Sequence, residues 1–384
     1  MNTDVMTGPV NDPDLLRRLA GRIGAGHRVA NPVFLAYRYE GDDRERVVAE
    51  FRRTIEEIGA FRCTFVISPS GGIHYGSPCE ASLTIELDCT GAPPWLVEDI
   101  VWSMLRTNFR LDAGPAGLGF VVHTRDATYF GVSGDHAVAD GVLIDEIFRR
   151  FFDRLEGSPT PPSRAARNSS PRPSSAARAR YRESSDLPAW QPEELARRLT
   201  ESVQIFQEGE HRSSLSESIY VDNPGLNNGR ARYGVSDVCL LASAYALAMM
   251  EVNGRERATF VMPFTGRLAD AAEIRAETSR LMPISVVTAG PPTVSAVVKQ
   301  VQAAISRLLR DGRSVTEVWQ NTDINRTHRV PWAFFVWRRA LKSPSEMTLI
   351  DVPVGQLVSV RPGVSLAATA EPLGTRLTLR AQYT

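Results

Sequence analysis

The chain is poor in cysteine: Cys63, Cys79, Cys89 and Cys239 are the only four in 384 residues. None forms a CxxC pair, and none sits with histidine at zinc-ligand spacing, which excludes a zinc module and a disulfide framework. Free thiols in a reducing compartment are expected. Net charge is lacking as well. Lys plus Arg and Asp plus Glu number 44 each, which removes the electrostatic case for nucleic acid or an anionic membrane as the main partner. No apolar run is long enough to span a bilayer. The longest, over 238–252, reads as a buried helix. The N-terminus, MNTDVMTGPVNDPD, has neither the basic nor the apolar segment of a secretory signal, so a cytoplasmic location is expected.

What is present is enough to fold. Apolar residues make up 43%, sufficient for a core, and the length suggests roughly two to three domains. The visible boundary is 158–188, dense in Pro, Ser, Ala and Arg and nearly empty of large apolar side chains. Such a segment buries too little surface to offset its ordering entropy. It reads as a linker between an N-terminal lobe, 1–157, and a C-terminal lobe, 189–384. Its arginines (Arg164, Arg167, Arg172, Arg178, Arg180 and Arg182) read as a solvated run, with an acidic protein surface or a phosphate group as the alternative partner.

Periodicity predicts helices over 13–22, 44–58, 94–104 and 141–155 in the first half, with Gly59 ending the second of them. Strands are expected over 33–39, 61–67, 73–75, 83–87, 118–123 and 128–132. The second half predicts helices over 192–207, 236–252 and 294–309, the middle one capped by Ser236. Strands there fall over 258–264, 281–287, 332–337, 356–360, 364–370 and 375–383. Mixed strands and helices in two halves point to an α/β fold. Trp332, Phe334, Phe335 and Trp337 read as core, with the lining of an apolar channel as the alternative.

The chemistry concentrates in YFGVSGDHAVADGVLIDEIFRRFF. A strand runs into Ser133, Gly134, Asp135 and His136, and a helix begins near Gly141. His136 therefore stands at a strand end beside a helix N-terminus, whose unpaired N–H groups carry partial positive charge. An imidazole beside such donors suits proton abstraction next to a developing oxyanion. Gly141 lets the backbone approach closely. Ser133 and Asp135 flank this histidine as candidate substrate contacts. His27, His74, His123, His211 and His328 have no motif around them.

His136–Ala137–Val138–Ala139–Asp140–Gly141 resembles the HxxxDG signature of the superfamily of condensation domains, chloramphenicol acetyltransferase-like enzymes, polyketide-associated acyltransferases and BAHD acyltransferases. Phe61-Arg62-Cys63-Thr64-Phe65 is similar to the LRTxF segment upstream of that histidine. The run 108–115, NFRLDAGP, is similar to pFdLxxGP. Met262-Pro263-Phe264-Thr265-Gly266-Arg267 resembles the later segment ending in GR, and 376–383 resembles the closing strand. The order agrees along nearly the whole chain. Asp135 stands where condensation domains carry the first histidine of HHxxxDG, and the BAHD DFGWG motif is absent.

The resemblance implies two chloramphenicol acetyltransferase-like α/β sandwich lobes in a V-shaped pseudo-dimer, with the histidine at a tunnel between them. It implies acyl transfer from a thioester, on coenzyme A or a phosphopantetheinyl carrier protein, to an amine or alcohol, in secondary-metabolite or lipid tailoring. His136 is then the base, the Gly141 N–H faces the oxyanion, and Asp140 has a structural role paired with an arginine, for which Arg62 is the candidate. No bound metal or prosthetic group is expected. Two alternatives stand beside this: another base-catalysed reaction, a cyclisation or elimination, on the same scaffold, and a non-catalytic recruitment module.

Overall fold

The computed structural model describes residues 8–10, 19, 32–157, 191–203, 214–265, 279–311, 332–339, 341–350, 363–371 and 374–382. The expected linker, the strand over 356–360 and, apart from Leu19, the helix over 13–22 lie outside the described residues. In chain order the first half holds β1 (Gly8–Pro9), β2 (Pro32–Tyr39), α1 (Arg44–Glu56), a 3₁₀ turn (Gly59–Arg62), β3 (Phe65–Ile67), β4 (Ile73–Tyr75), β5 (Thr84–Asp88), α2 (Pro94–Leu105), β6 (Gly117–His123), β7 (Thr128–Asp135) and α3 (Gly141–Leu155). The second half holds α4 (Pro192–Ser202), β8 (Ser214–Asp222), α5 (Asn223–Tyr233), α6 (Asp237–Val252), β9 (Arg257–Thr265), β10 (Ser279–Val287), α7 (Val294–Asp311), β11 (Trp332–Arg339), β12 (Met347–Leu349), β13 (Gly363–Glu371) and β14 (Gly374–Gln382).

Most expected elements are present within a residue or two of their ends; α4 ends at Ser202 and not at 207, β7 runs on to Asp135 and not to 132, and three larger differences stand out. Gly59 does not end α1, whose cap is Glu57; it opens the 3₁₀ turn, so Phe61 and Arg62 are not in a strand. β8 and α5 were not expected. The sequence Asn-Pro-Gly-Leu-Asn-Asn-Gly has turn composition, yet it starts a helix because Asp222 accepts the Gly225 N–H at 2.8 Å and Pro224 fits a first turn. Gly234, left-handed at φ 66°, ends it. The third difference is β12, which does not stay with the C-terminal half. It pairs antiparallel with β2, Met347 against Tyr39, and Leu341–Asp351 groups with the first of two compact units. The boundary of the C-terminal lobe is therefore not a single cut in the chain.

The first unit is built on a five-stranded sheet ordered β12-β2-β7-β6-β5. β2, β6 and β7 pair antiparallel and β5 runs parallel to β6. α1 and α3 cover one face. Their apolar stripes (Val47, Val48, Phe51 and Ile55 on α1; Leu143, Ile147, Phe148 and Phe151 on α3) are buried against Val121, Phe130 and Val132. Phe51 and Phe151 meet edge-on, with centroids 5.2 Å apart. Each fully buried phenylalanine contributes about 1.5–3 kcal/mol of hydrophobic stabilisation. α2 buries Val97, Val101, Trp102 and Leu105 and packs against β2, β6 and β7. A sheet covered on both faces explains why β6 and β7 are almost continuously buried.

The second unit has a six-stranded sheet ordered β10-β9-β11-β13-β14-β8. β11 runs parallel to β9 and β13, and the other neighbours are antiparallel. α6 and α7 close its main core over Phe260, Met262, Ala333 and Phe335. The longest apolar stretch is thus a core helix, capped by Ser236, which accepts the Cys239 N–H. Among the described residues no single helix is long and apolar enough to cross a membrane.

Candidate active site

The site begins with the end of β7. Gly134 pairs with Gly117 of β6 and with Val33 of β2. Phe61 explains both glycines. A Cβ at Gly117 would lie 2.4 Å from its ring, and one at Gly134 would lie 3.2 Å from the ring and 2.9 Å from Ala139. Phe61 is fully buried, and its carbonyl accepts the Ala116 N–H at 2.7 Å. It forms the floor on which the loop after β7 rests.

Between Phe130 and Asp140 every residue is buried except His136, which is half-buried. Ala137, Val138 and Ala139 turn inward at 3%, 1% and 0% exposure. The chain thus closes a tight loop that presents one polar side chain. Asp140 follows in an extended conformation, and its Oδ1 accepts the Leu143 N–H at 2.8 Å. Its carbonyl accepts the Ile144 N–H at 3.1 Å. With Leu143 capped, the amides of Gly141 and Val142 are the first-turn donors that the helix itself leaves over. Among the described residues a Cβ built on Gly141 would meet nothing within 4 Å, so the side-chain side of this first turn is open.

The structure brings together His136, Asp140 and Gly141 and separates Arg62 from them functionally. Arg62 does not pair with Asp140. Its guanidinium forms an ion pair with Glu56 and donates to the carbonyls of Cys79 and Ala81 at 3.0 and 3.1 Å. Glu56 in turn accepts from Leu83 N at 2.8 Å and Ser82 Oγ at 3.0 Å. The physical reason is the 3₁₀ turn, which sets Arg62 on the α1–β5 side, where Glu56 and two carbonyls take its guanidinium. Asp140 meets the need for a structural role as a helix cap.

Ser133 and Asp135, expected as substrate contacts, are buried at 0% and 1% exposure. Ser133 Oγ donates to the Leu105 carbonyl at 2.9 Å. Asp135 Oδ1 accepts the Ala137 N–H at 2.9 Å. Both point into the protein because β7 is covered on both faces. Sequence reasoning missed Phe61, Gly117 and Gly134 as site-shaping residues. The available signal was the glycines set among the apolar residues of β6 and β7, which mark close approaches.

Two adjoining surface depressions of about 340 and 620 Å³ share Arg44, Glu86 and His123. They lie at the His123 end of β6, opposite the Gly117 end that supports the loop. They are separate from the His136 site. Among the described residues no cluster of three or more His, Cys, Asp or Glu could hold a metal ion.

Comparison with solved structures places this fold. The first condensation domain of the CDA synthetase matches at TM-score 0.67 and 14% identity, covering 99% of this chain and 91% of that one. A variant of the starter condensation domain of rhizomide synthetase RzmA, in complex with C8-CoA, matches at TM-score 0.68 and 15% identity over 99% and 90%. The epimerization domain from the third module of tyrocidine synthetase B matches at 0.67 and 14% over 99% and 92%. No family model matches, and no curated protein matches by sequence. The chain has the condensation-domain fold.

Proposed function

We propose that this chain is an acyltransferase that moves an acyl group from a thioester, on coenzyme A or a carrier protein, to an amine or alcohol. The observation that carries the reading is the loop itself: His136 is the only residue from Phe130 to Asp140 that is not buried, and it is followed by a helix N-terminus with open space beside Gly141. His136 accepts the proton of the acceptor. The acceptor oxygen or nitrogen attacks the thioester carbonyl carbon, and the oxyanion that forms is met by N–H groups of the first turn of α3. The intermediate collapses, the C–S bond breaks, and the proton held on His136 passes to the departing sulfur. Support comes from the shared fold with a starter condensation domain bound to C8-CoA. Asp140 holds the loop as a cap and does not touch the reacting atoms.

The test is release of free thiol from acyl-coenzyme A donors in the presence of candidate amines and alcohols, with the product identified by mass. His136→Ala should slow turnover about 10²–10⁴-fold with the fold intact. Near-parental turnover in His136→Ala rejects the mechanism. A second reading, base-catalysed proton transfer without acyl transfer, is favoured by the equal likeness to an epimerization domain. Solvent deuterium incorporation into substrate without thiol release would establish it instead.

A further inference from the structure

We infer that Asp135 is the positioning residue of this site: its backbone and carboxylate together fold the turn that presents His136. The inference rests on the proposed role of His136. Asp135 is the last residue of β7 and pairs with Pro32 of β2. Its N–H donates to the Ala116 carbonyl at 2.8 Å, which fixes it to the segment before β6. Its carbonyl accepts two amides, Val138 at 2.9 Å and Ala139 at 2.8 Å. Its Oδ1 accepts a third, Ala137 at 2.9 Å. Asp135 thus receives the N–H groups of all three residues between His136 and Asp140.

Ala137, Val138 and Ala139 are buried, and a buried amide without an acceptor costs about 1–3 kcal/mol. The loop can stay buried around His136 only while those three donors are met, and one residue meets them all. Two of the bonds are main-chain and independent of side-chain identity. The third depends on a short side chain with an acceptor three bonds from Cα. Aspartate and asparagine have this geometry; alanine does not. Asp135 is 1% exposed, and its carboxylate acts on the turn after His136 and not on substrate.

Loss of the turn would redirect the His136 ring, which a chemical probe of that ring can read. Asp135→Ala and Asp135→Asn are compared with the parent in two assays. The first is steady-state thiol release. The second is the rate of His136 carbethoxylation by diethyl pyrocarbonate, followed by peptide mass spectrometry, with His74 in the same sample as reference. Asp135→Ala should lower kcat about 10–100-fold with donor KM within about twofold, and should change the His136 modification rate at least about fivefold relative to His74. Asp135→Asn retains the acceptor and should remain within about threefold of the parent in both.

Parental His136 reactivity in Asp135→Ala overturns the inference. So does an equal loss in Asp135→Asn, which would make the charge decisive and not the turn. If the alanine variant does not fold, the asparagine variant decides alone: parental values support the inference and loss of either readout overturns it. Carbethoxylation needs only an accessible imidazole. If the parent turns over no thioester, the acyl-transfer reading fails while the modification rates still judge Asp135.

Discussion

The Asp140 carboxylate accepts the Leu143 amide at 2.8 Å, so the aspartate of the HxxxDG motif is the cap of the helix that follows it. This bond joins the loop bearing His136 to the first turn that carries Gly141. Loss of the cap should destabilise the unit by about 1–2 kcal/mol. Asp140→Ala measured by urea unfolding should show this, and Asp140→Asn should recover most of it. Unchanged stability with lost turnover would instead move Asp140 into the chemistry.

Arg62 gives an independent check. Its guanidinium is committed to Glu56 and to two carbonyls. A double-mutant cycle of Arg62→Ala with Asp140→Ala should be additive within about 0.5 kcal/mol. The same cycle with Glu56→Ala should show a coupling of about 0.5–3 kcal/mol. A large Arg62–Asp140 coupling would contradict the arrangement found here.

Two glycines should respond in opposite ways. At Gly134 a Cβ would lie 2.9 Å from Ala139 and press on Phe61. Gly134→Ala should destabilise by about 1–3 kcal/mol through overpacking and should also reduce turnover by displacing the loop. At Gly141 a Cβ meets nothing within 4 Å among the described residues. Gly141→Ala should leave stability within about 0.5 kcal/mol. If it lowers turnover, the added methyl is obstructing a substrate that approaches the first turn. Thermal unfolding and thiol release on the same samples separate the two cases.

Glu86 predicts a pH dependence far from the site. Its carboxyl is held below the ordinary value of 4.5, first by the hydrogen bond with His123 and further by Arg52, against the opposing effect of burial. The His123 Nε2 to Glu86 Oε1 distance is 2.7 Å. A carboxylate with a lowered folded pKa adds stability that is present above its unfolded value and lost as pH falls through the folded value. Melting temperatures of the parent and Glu86→Gln should therefore differ at neutral pH and converge as pH is taken well below 4.5. A constant difference across that range would show that the ionised carboxylate is not what stabilises β5 against α1.

The legible part of the fold lay in strong local periodicity. α3 appears over the expected residues because its apolar stripe and its Asp140–Gly141 start agree. α6 was legible as a buried helix because apolar residues surround it on all sides. β8 and α5 were not legible. The strand Ser-Leu-Ser-Glu-Ser-Ile-Tyr-Val-Asp lies at the sheet edge, where burial imposes little alternation, and α5 wears turn composition over its whole first half. β12 is three residues long, too short for any period to show, and only its pairing with β2 makes it a strand.

For the site, the sequence by itself determined which residues stand together: His136, Asp140 and Gly141 are within one strand–loop–helix, so local chain geometry alone makes them neighbours. Tertiary structure decided what each partner does. Arg62 is 78 positions away from Asp140 in the sequence, and nothing local says whether its guanidinium reaches the loop or turns to Glu56. Asp135 and Ser133 look like flanking polar residues until the sheet is covered on both faces and their side chains are found bonded to main chain inside it. A side chain's role in a loop depends on which acceptors the rest of the fold leaves unmet, and that is settled by packing between segments distant in the chain.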